Sequence, residues 1–350
     1  MNRRTFLRAS GVVGTAALAG CTGMFETRSV REPPLADFRP NAVYLPTHAE
    51  GMEMVGMGKS GDYQFALMYS YPHRFWNMNE GATQRTDAQS DDSVHLMATV
   101  WDPETGVVLP ETGLSVEIDG EEEVIYPMLA QQMGFHYGDN MPLSGDGTYT
   151  ATISVGGINI RRTGAFQDKF GDPASVDIDF EFSQSKLEEL PYRLLEDEAG
   201  NRGALEPMNM EMMPNGTVPA KDDLPGTLVG EATSGDAFFL ATLLSGDEVP
   251  AGIDGDAYLA LSARTPYNQY VIPAMGLSGT LSAAGETVSE LQFTRTLDPA
   301  LNYHYGALVD ADASWDELGV TVDIVPQVAR HEGYETAFID MEPMTFQRSS

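Results

Sequence analysis

The sequence predicts an all-β fold of two tandem immunoglobulin-like antiparallel β-sandwiches, and three observations support this prediction. Short segments at residues 94–100, 114–118, 148–155 and 176–182 are rich in strand-forming residues and partly alternate between apolar and polar side chains. Turn-forming clusters, such as residues 102–106 and 144–147, separate them. A second strand-rich stretch then repeats features of the first, which is the pattern of a tandem sandwich.

Residues 1–20 form an export signal rather than a folded element. A twin-arginine pattern is followed by a small, apolar run over residues 11–20, which ends in Leu18-Ala19-Gly20-Cys21. This ending resembles a lipoprotein processing site, so we expect a lipid on Cys21 that anchors the chain to the membrane. A membrane-spanning helix is the alternative, but the apolar run is shorter than the roughly 18 residues that a span needs.

The remaining chain divides into four predicted parts. Residues 21–40 are a polar, proline-bearing tether, and residues 41–184 are the first sandwich. Residues 185–226 contain one short helix and a linker rich in methionine and proline, and residues 227–346 are the second, degenerate sandwich.

The duplication is predicted from aligned segments. Val94-His95-Leu96 aligns with Ala257-Tyr258-Leu259, and Phe135-His136-Tyr137-Gly138 aligns with Tyr303-His304-Tyr305-Gly306. Farther along, Arg161-Arg162-Thr163-Gly164 aligns with Arg330-His331-Glu332-Gly333. Chance similarity between sandwich sequences is the alternative explanation.

The net charge of −32 excludes nucleic acid as a partner, because the phosphate backbone would be repelled. An acidic surface of this kind is typical of proteins that work in molar salt, and twin-arginine export of such a lipoprotein is typical of haloarchaea. Cys21 is the only cysteine. A disulfide and a thiolate metal cluster are therefore both excluded, and any metal site must use histidine, methionine and carboxylates.

Histidine and methionine provide the candidate metal ligands. His95 and Met97 lie two residues apart on one predicted strand and so share a sheet face. Met128 and Met133 precede His136. Imidazole and thioether donors favour copper, while carboxylates extend the choice toward iron. The alternative for each methionine is simple packing. For the methionines of residues 208–213, packing and weak capture of cuprous ion both stay open.

Several segments together resemble a known family. They are Ala42-Val43-Tyr44-Leu45, Met54-Val55-Gly56-Met57-Gly58, Val94-His95-Leu96, Tyr126-Pro127-Met128, His136-Tyr137-Gly138-Asp139-Asn140 and Gly147-Thr148-Tyr149. Residues 41–182 are similar to the periplasmic iron-transport proteins of bacteria. That resemblance implies an immunoglobulin-like, copper-binding, exported protein, dimeric in several members, which assists ferrous-iron uptake beside an iron permease.

The resemblance also implies site residues. It assigns metal ligation to His95, Met128 and His136, and iron handling to Glu53. Met97 stands where the family has a carboxylate, and Arg161-Arg162 stand where the family has a late histidine. The spacing from Met128 to His136 is also one residue longer than in the family. The metal preference of this chain is therefore expected to differ.

Two further histidines have open roles. His73 lies in an insertion, residues 59–93, that has no counterpart in the family, and it is either a hydrogen-bonded structural residue or a ligand that covers the site. His331 lies near the position of the missing late histidine. It either completes the site in an intramolecular pseudo-dimer or bonds Glu332 or Glu335 at the surface.

These features predict a membrane-anchored, extracytoplasmic protein that binds a copper or iron ion and assists metal uptake. We expect binding rather than catalysis, since no Ser-His-Asp order, nucleotide loop or His-Glu-x-x-His helix occurs. The alternatives are a structural or adhesive lipoprotein without metal, and an enzyme whose metal-bound water is activated by Glu53. Neutral imidazoles are needed as ligands, so metal capture should weaken below a pH of about 6.5.

Overall fold

The structure, a computed structural model, describes residues 32–79, 81–208, 210 and 212–348. The predicted export signal, Cys21 and the tether up to residue 31 lie outside these residues. The predicted all-β class is confirmed. Within the described residues, helical structure is confined to α1 (Gln184–Glu188) and to 3-10 turns at Gly164–Phe166, Lys221–Asp223 and Gly246–Glu248. None of these helices has the length and apolar character that crossing a bilayer requires.

The strands up to residue 194 form the first sandwich and its attachments. In chain order they are β1 (His48–Glu50), β2 (Glu53–Ser60), β3 (Tyr63–Ser70), β4 (Phe75–Asn79), β5 (Ala82–Thr86), β6 (Val94–Trp101), β7 (Leu114–Ile118), β8 (Glu121–Val124), β9 (Tyr126–Ala130), β10 (Gly134–Met141), β11 (Gly147–Val155), β12 (Arg161–Arg162), β13 (Ala174–Phe182) and β14 (Tyr192–Leu194).

Two sheets make the first sandwich. One has the order β2-β3-β6-β10-β9 and is extended further, and the other has the order β13-β11-β7-β8. In β13 the side chains of Ile178, Phe180 and Phe182 are buried, while the acidic residues between them are exposed. This alternation places one face of the strand in the core and the other in water. The central strand β6 is buried along its whole length, so His95 and Met97 are carried inside the molecule.

The second sandwich repeats this strand order. Its strands are β15 (Thr227–Ser234), β16 (Ala237–Ser245), β17 (Ala257–Arg264), β18 (Gly276–Ala283), β19 (Glu286–Asp298), β20 (Asn302–Leu308), β21 (Glu317–Ile324), β22 (Ala329–Arg330) and β23 (Met344–Gln347). The path β15-β16-β17-β20-β19 corresponds to β2-β3-β6-β10-β9 of the first sandwich. The long strand β19 continues through both sheets, where the first sandwich has the two separate strands β8 and β9.

Two short strands are exchanged between the sandwiches. From the first half of the chain, β12 pairs in parallel with β19, with Arg161 opposite Thr296. From the second half, β22 pairs in parallel with β9, with Ala329 opposite Met128. The other edge of β22 pairs with β4, so the β4–β5 hairpin of the insertion joins the first sandwich through a strand of the second.

All described residues belong to one compact unit, Glu32–Ser350. The predicted boundaries at residues 184 and 226 therefore stay predictions. The predicted helix in residues 185–198 corresponds to the single-turn α1, and the chain then returns to an extended strand, β14, that pairs with β1.

Candidate metal centre

Three adjacent strands carry the predicted ligands. In the register of β10 with β6, Asn140 lies opposite His95, and in the register of β10 with β9, His136 lies opposite Met128. Gly138 lies between these pairs on β10. A Cβ atom added to Gly138 would lie 2.8 Å from Nε2 of His95 and 3.3 Å from Sδ of Met128. The imidazole nitrogen and the thioether sulfur thus face the same small space, which a larger residue would fill.

The exchanged strand β22 delivers His331 to this space. The backbone N–H of His331 donates to the carbonyl oxygen of Leu129 at 3.0 Å, which continues the parallel pairing of β22 with β9. The ring centre of His331 lies 5.1 Å from that of His136 and 5.3 Å from that of His95. The surface bonds considered as an alternative are not formed, because Glu332 binds Thr47 and Arg74 while Glu335 binds the Tyr44 hydroxyl, the Gly333 backbone N–H and Arg39.

The insertion supplies a fourth imidazole, His73, immediately before β4. Its ring centre lies 4.0 Å from that of His95 and 4.7 Å from that of His331. Its Nδ1 lies 2.7 Å from Oε1 of Glu50, and its Nε2 lies 3.0 Å from Nδ1 of His331. His73, His95 and His331 each offer a ring nitrogen within 4.8 Å of the other two. His73 is therefore part of the cluster and is also hydrogen-bonded.

Two of the imidazoles have a fixed tautomer. Nδ1 of His95 lies 3.0 Å from Oδ1 of Asn140, and Nδ1 of His136 lies 3.1 Å from the carbonyl oxygen of Gly134. Both oxygens are acceptors, so each Nδ1 carries the hydrogen and each Nε2 carries a lone pair. The Asn140 orientation is set independently, since its side-chain NH₂ donates to the carbonyl of His73 at 2.8 Å.

The nitrogen atoms that point into the centre have no partner among the described residues. Nε2 of His95, of His136 and of His331 is buried and makes no hydrogen bond. A buried polar atom without a partner costs on the order of 1–3 kcal/mol, and three such atoms side by side are unusual. A metal ion bound by these atoms would remove this cost.

Burial keeps these three imidazoles neutral. Burial lowers the pKa of His136 from 6.5 to about 4, and the nearby His73 adds to the effect. Burial, followed by the neighbouring histidines, also lowers the pKa of His95 and of His331 well below the usual value. Neutral imidazole with a lone pair on Nε2 is the form that binds metal, so His95 and His136 are ready to accept an ion at neutral pH.

In contrast, the pKa values of His73 and Glu50 are shifted in the directions that favour their charged forms. Burial lowers the pKa of His73, but the charge of Glu50, its hydrogen bond and the charge of Glu32 outweigh this and raise it. Burial raises the pKa of Glu50, but the charge and hydrogen bond of His73 outweigh this and lower it. With His73 charged, its Nε2–H donates to Nδ1 of His331, so the hydrogen of His331 sits on Nε2. Loss of one proton from this pair frees Nε2 of His331.

A cavity of about 90 Å³ adjoins the cluster. Its lining includes Glu50, His73 and His331 together with the methionines Met52, Met97, Met133 and Met208. Met97 is 3% exposed and shares the sheet face of His95, so it lines this cavity beside the cluster. The cavity therefore places thioether sulfurs and a carboxylate beside the cluster.

The structure brings together His95, Met128, His136 and His331, with Met97 close by. Glu53 lies away from this cluster, because it is exposed at the start of the edge strand β2 and does not line the cavity. The carboxylate at the cluster is Glu50 instead. Sequence reasoning missed Glu50, although His48 and Glu50 show the same two-residue spacing that pointed to His95 and Met97. In the linker, Met208 lines the cavity, Met213 is buried and Met212 is 66% exposed.

At the exchanged strands, the correspondence between the two sandwiches differs by one residue from the sequence alignment. The alignment paired His331 with Arg162, whereas the exchanged strands pair it with Thr163, because Ala329 lies opposite Met128 and Arg161 lies opposite Thr296. Backbone pairing determines the register of the exchanged strands, whereas the sequence alignment had matched arginine side chains.

Comparison with known proteins gives limited matches. The model of a domain of unknown function, DUF7350, matches residues 222–347. No curated protein has a detectable sequence match to the chain. Among solved structures, the chain is similar to the copper-reconstituted P19 protein from Campylobacter jejuni, with 19% identity over 38% of this chain and 96% of that chain and a TM-score of 0.29. It is also similar to a copper-bound variant of FetP from uropathogenic Escherichia coli, with 23% identity over 39% and 97% of the two chains and a TM-score of 0.27. FetP as isolated matches with 21% identity over 39% and 96% and a TM-score of 0.26.

Proposed function

We propose that this protein is a membrane-anchored, extracytoplasmic metal-binding protein that holds a copper ion at His95, Met128, His136 and His331 and assists metal uptake. The observation that carries the proposal is the set of three buried Nε2 atoms without partners, two of them in imidazoles of fixed tautomer. The sulfur of Met128 and Nε2 of His95 face the same small space in front of Gly138.

The donor set favours copper over harder ions. Three neutral imidazoles with one thioether suit cuprous and cupric ions, whereas calcium and magnesium require oxygen donors. His73, hydrogen-bonded to Glu50, stands beside this set and can add a nitrogen donor only after it loses its proton. Together with Glu50 it supplies the nitrogen and oxygen donors that a ferrous ion accepts, which is the basis for including iron as cargo.

Binding, rather than catalysis, suits this arrangement. A metal that activates water needs an open coordination position and a base next to it. The proposed donors lie on β6, β9 and β10 and at the end of β22, so an ion here would be surrounded by protein ligands. Glu53, the base considered from the sequence, is exposed and lies outside the cavity lining.

The location and partners follow from the predicted export signal. Twin-arginine export and a lipid on Cys21 would hold the domain at the outer face of the cell membrane, with residues 22–40 as the tether. A protein so placed can pass its ion to a permease in the same membrane, and an iron permease is the partner that the sequence resemblance implies.

The first test is metal analysis of the mature chain, purified without chelators, by mass spectrometry of copper and iron. We expect one copper per chain. The change His136→Ala should weaken copper affinity at least about tenfold, as loss of a ligand does, while thermal unfolding stays cooperative.

The matched control is His304→Ala, because His304 occupies the corresponding place in the second sandwich and its Nε2 is already hydrogen-bonded to Tyr258. This change should leave the affinity unaltered. Absence of bound metal, or equal affinity of the His136 variant and the unaltered chain, would support a structural or adhesive lipoprotein instead.

A further inference from the structure

The second sandwich contains a set of residues that corresponds position by position to the metal centre. In the strand registers, Tyr258 corresponds to His95, Thr296 to Met128, His304 to His136, and Thr163 to His331. Thr163 arrives on the exchanged strand β12 as His331 arrives on β22, and its backbone N–H donates to the carbonyl of Leu297 at 3.0 Å, as that of His331 does to Leu129. The repeat therefore preserves the geometry of a centre.

His304, the counterpart of the proposed ligand His136, is preserved in the second sandwich together with its orientation. Nδ1 of His304 lies 3.0 Å from the carbonyl oxygen of Asn302, two residues earlier, as Nδ1 of His136 lies against Gly134. Burial lowers the pKa of His304 to about 4, so the ring is neutral and Nε2 carries a lone pair that points inward. By these criteria His304 is as well prepared to bind an ion as His136.

The space in front of His304 is filled by the chain itself. The hydroxyl of Tyr258 lies 3.0 Å from Nε2 of His304 and 3.4 Å from Oγ1 of Thr296. A Cβ atom on Gly306, the counterpart of Gly138, would overlap this hydroxyl oxygen. In the first sandwich the corresponding point lies between Nε2 of His95 and Sδ of Met128 and is not filled. The hydroxyl thus takes the place that an ion would take.

A positive charge stands beside the hydroxyl. Arg161 on β12 lies opposite Thr296, where the first sandwich has the uncharged Ala329. Burial raises the pKa of Tyr258, and the Thr296 hydroxyl together with the charge and hydrogen bonding of Arg161 opposes that rise. The charge of Arg161 also contributes to lowering the pKa of His304. The guanidinium therefore lies within electrostatic reach of both residues, and a fixed cation there repels a metal ion.

We propose that the second sandwich holds a latent metal centre, of the same soft-to-borderline ligand class, that is closed from within by the Tyr258 hydroxyl and Arg161. The chain accordingly binds one ion and not two. The inference uses the proposed function only for the kind of ion, and the closure itself is tested separately.

The experiment counts cuprous ions bound per chain, without oxygen and against a chromogenic chelator. The parent variant carries His95→Ala and His136→Ala, which removes the first centre and should bind no ion. The opened variant adds Tyr258→His, Thr296→Met and Arg161→Ala to that parent, and it should gain one ion. A third variant adds only Tyr258→Phe to the parent and should gain none, because the ring still fills the space.

Nitrogen NMR of the histidine rings in the unaltered chain provides a measurement without mutation. The Nε2 signal of His304 should not shift when cuprous ion exceeds one equivalent, because the nitrogen is bonded to Tyr258. A shift of that signal, or an opened variant that unfolds cooperatively yet gains no ion over its parent, would overturn the inference.

The two proposals fail in different ways. If the unaltered chain binds no ion but the opened variant gains one, the proposed function is wrong and the latent centre stands. If the unaltered chain binds one ion and the opened variant gains none, the proposed function stands and the latent centre is wrong.

Discussion

At the scale of single residues, Asn140 does more than its place at the end of a turn-like sequence suggests. Its Oδ1 accepts from Nδ1 of His95 and from the backbone N–H of His73, and its NH₂ donates to the carbonyl of His73. One amide thus fixes the tautomer of His95, a proposed ligand from the sandwich, and the backbone of His73 from the insertion. Groups that orient a ligand in this way typically affect metal affinity about 10–100-fold.

We therefore expect Asn140→Ala to weaken copper affinity about tenfold or more, since His95 can then rotate and exchange its ring hydrogen. Competition with a copper chelator measures this. The control is Asn77→Ala, because the side chain of Asn77 donates to Thr86 within the peripheral hairpin. Equal losses in both variants would mean that Asn140 acts through general stability and not through His95.

The pH dependence of metal binding follows from the same histidines. In the ordinary case protons would compete with metal below a pH of about 6.5, as the sequence suggested. Burial lowers the pKa of His136 to about 4 and that of His95 well below its usual value, so these imidazoles remain unprotonated as the pH falls below 6.5. Binding through Nε2 of His331 still requires one proton to leave the His73–His331 pair, in which the pKa of His73 is raised. Affinity measured from pH 7 to pH 5 should therefore fall by no more than about tenfold per pH unit, as release of one proton per ion requires. A steeper loss would contradict this expectation.

The same shifts act on the stability of the metal-free protein with a definite sign. A histidine whose folded pKa lies below its unfolded pKa binds fewer protons when folded, so stability falls as the pH drops below the unfolded value of 6.5. We expect the urea midpoint of the metal-free chain to decrease from pH 7 to pH 5, and bound copper to reduce the decrease. A midpoint that rises over this range would contradict the burial of neutral imidazoles.

At the scale of elements, the two-residue strand β22 connects the two sandwiches to the centre. It lies between β9 and β4, and it carries His331 at its end. Arg330 is fully buried and donates to the carbonyl oxygens of Pro326, Ala337 and Phe338, which holds the strand to the segments before and after it. The position of His331 therefore depends on both halves of the chain.

We expect His331→Ala to weaken copper affinity at least about tenfold. The matched control is Thr163→Ala, which alters the corresponding position on β12 and should leave affinity unchanged. Equal affinity of both variants and the unaltered chain would show that the second sandwich contributes nothing to the centre.

The sequence predicted the regular strands well and the exchanged ones only indirectly. Strands such as β13 have a long alternating pattern that reports which face is buried. A pair such as Arg161–Arg162 has no period, and its partner strand lies more than a hundred residues away. The sequence alignment located these short strands but not their register, because backbone pairing with a distant strand determines the register. Likewise, nothing local in the sequence shows that the insertion folds back to place His73 beside His95.

At the scale of the whole molecule, acidic residues outnumber basic ones by 52 to 20. Some of the few cations are used at contacts between distant parts of the chain. Arg74 binds Glu332 at 2.5 Å in a buried pair, Arg39 binds Glu335 at 2.8 Å, and Arg295 binds Glu111 at 2.6 Å. The remaining carboxylates repel one another across the surface, and only dissolved salt can screen that repulsion.

We expect the thermal midpoint to rise by several degrees between about 0.2 M and about 2 M KCl, because the Debye length falls to about 3 Å at 1 M. Both sandwiches should unfold in a single transition, since each sandwich pairs with one strand from the other half of the chain. Calorimetry tests both statements. Two separate transitions, or a midpoint that does not depend on salt, would contradict them.

The strand exchange also has an evolutionary consequence. In a symmetric homodimer one gene encodes both subunits, so a substitution that closes one centre closes the other as well. Here the two sandwiches are encoded separately within one chain, and Tyr258 and His95 can differ although they occupy the same place. The exchange through β12 and β22 joins each half to the other by backbone pairing, so we expect both halves to be retained together while their sequences diverge. The tandem gene therefore permits a specialisation that a pair of identical subunits cannot reach.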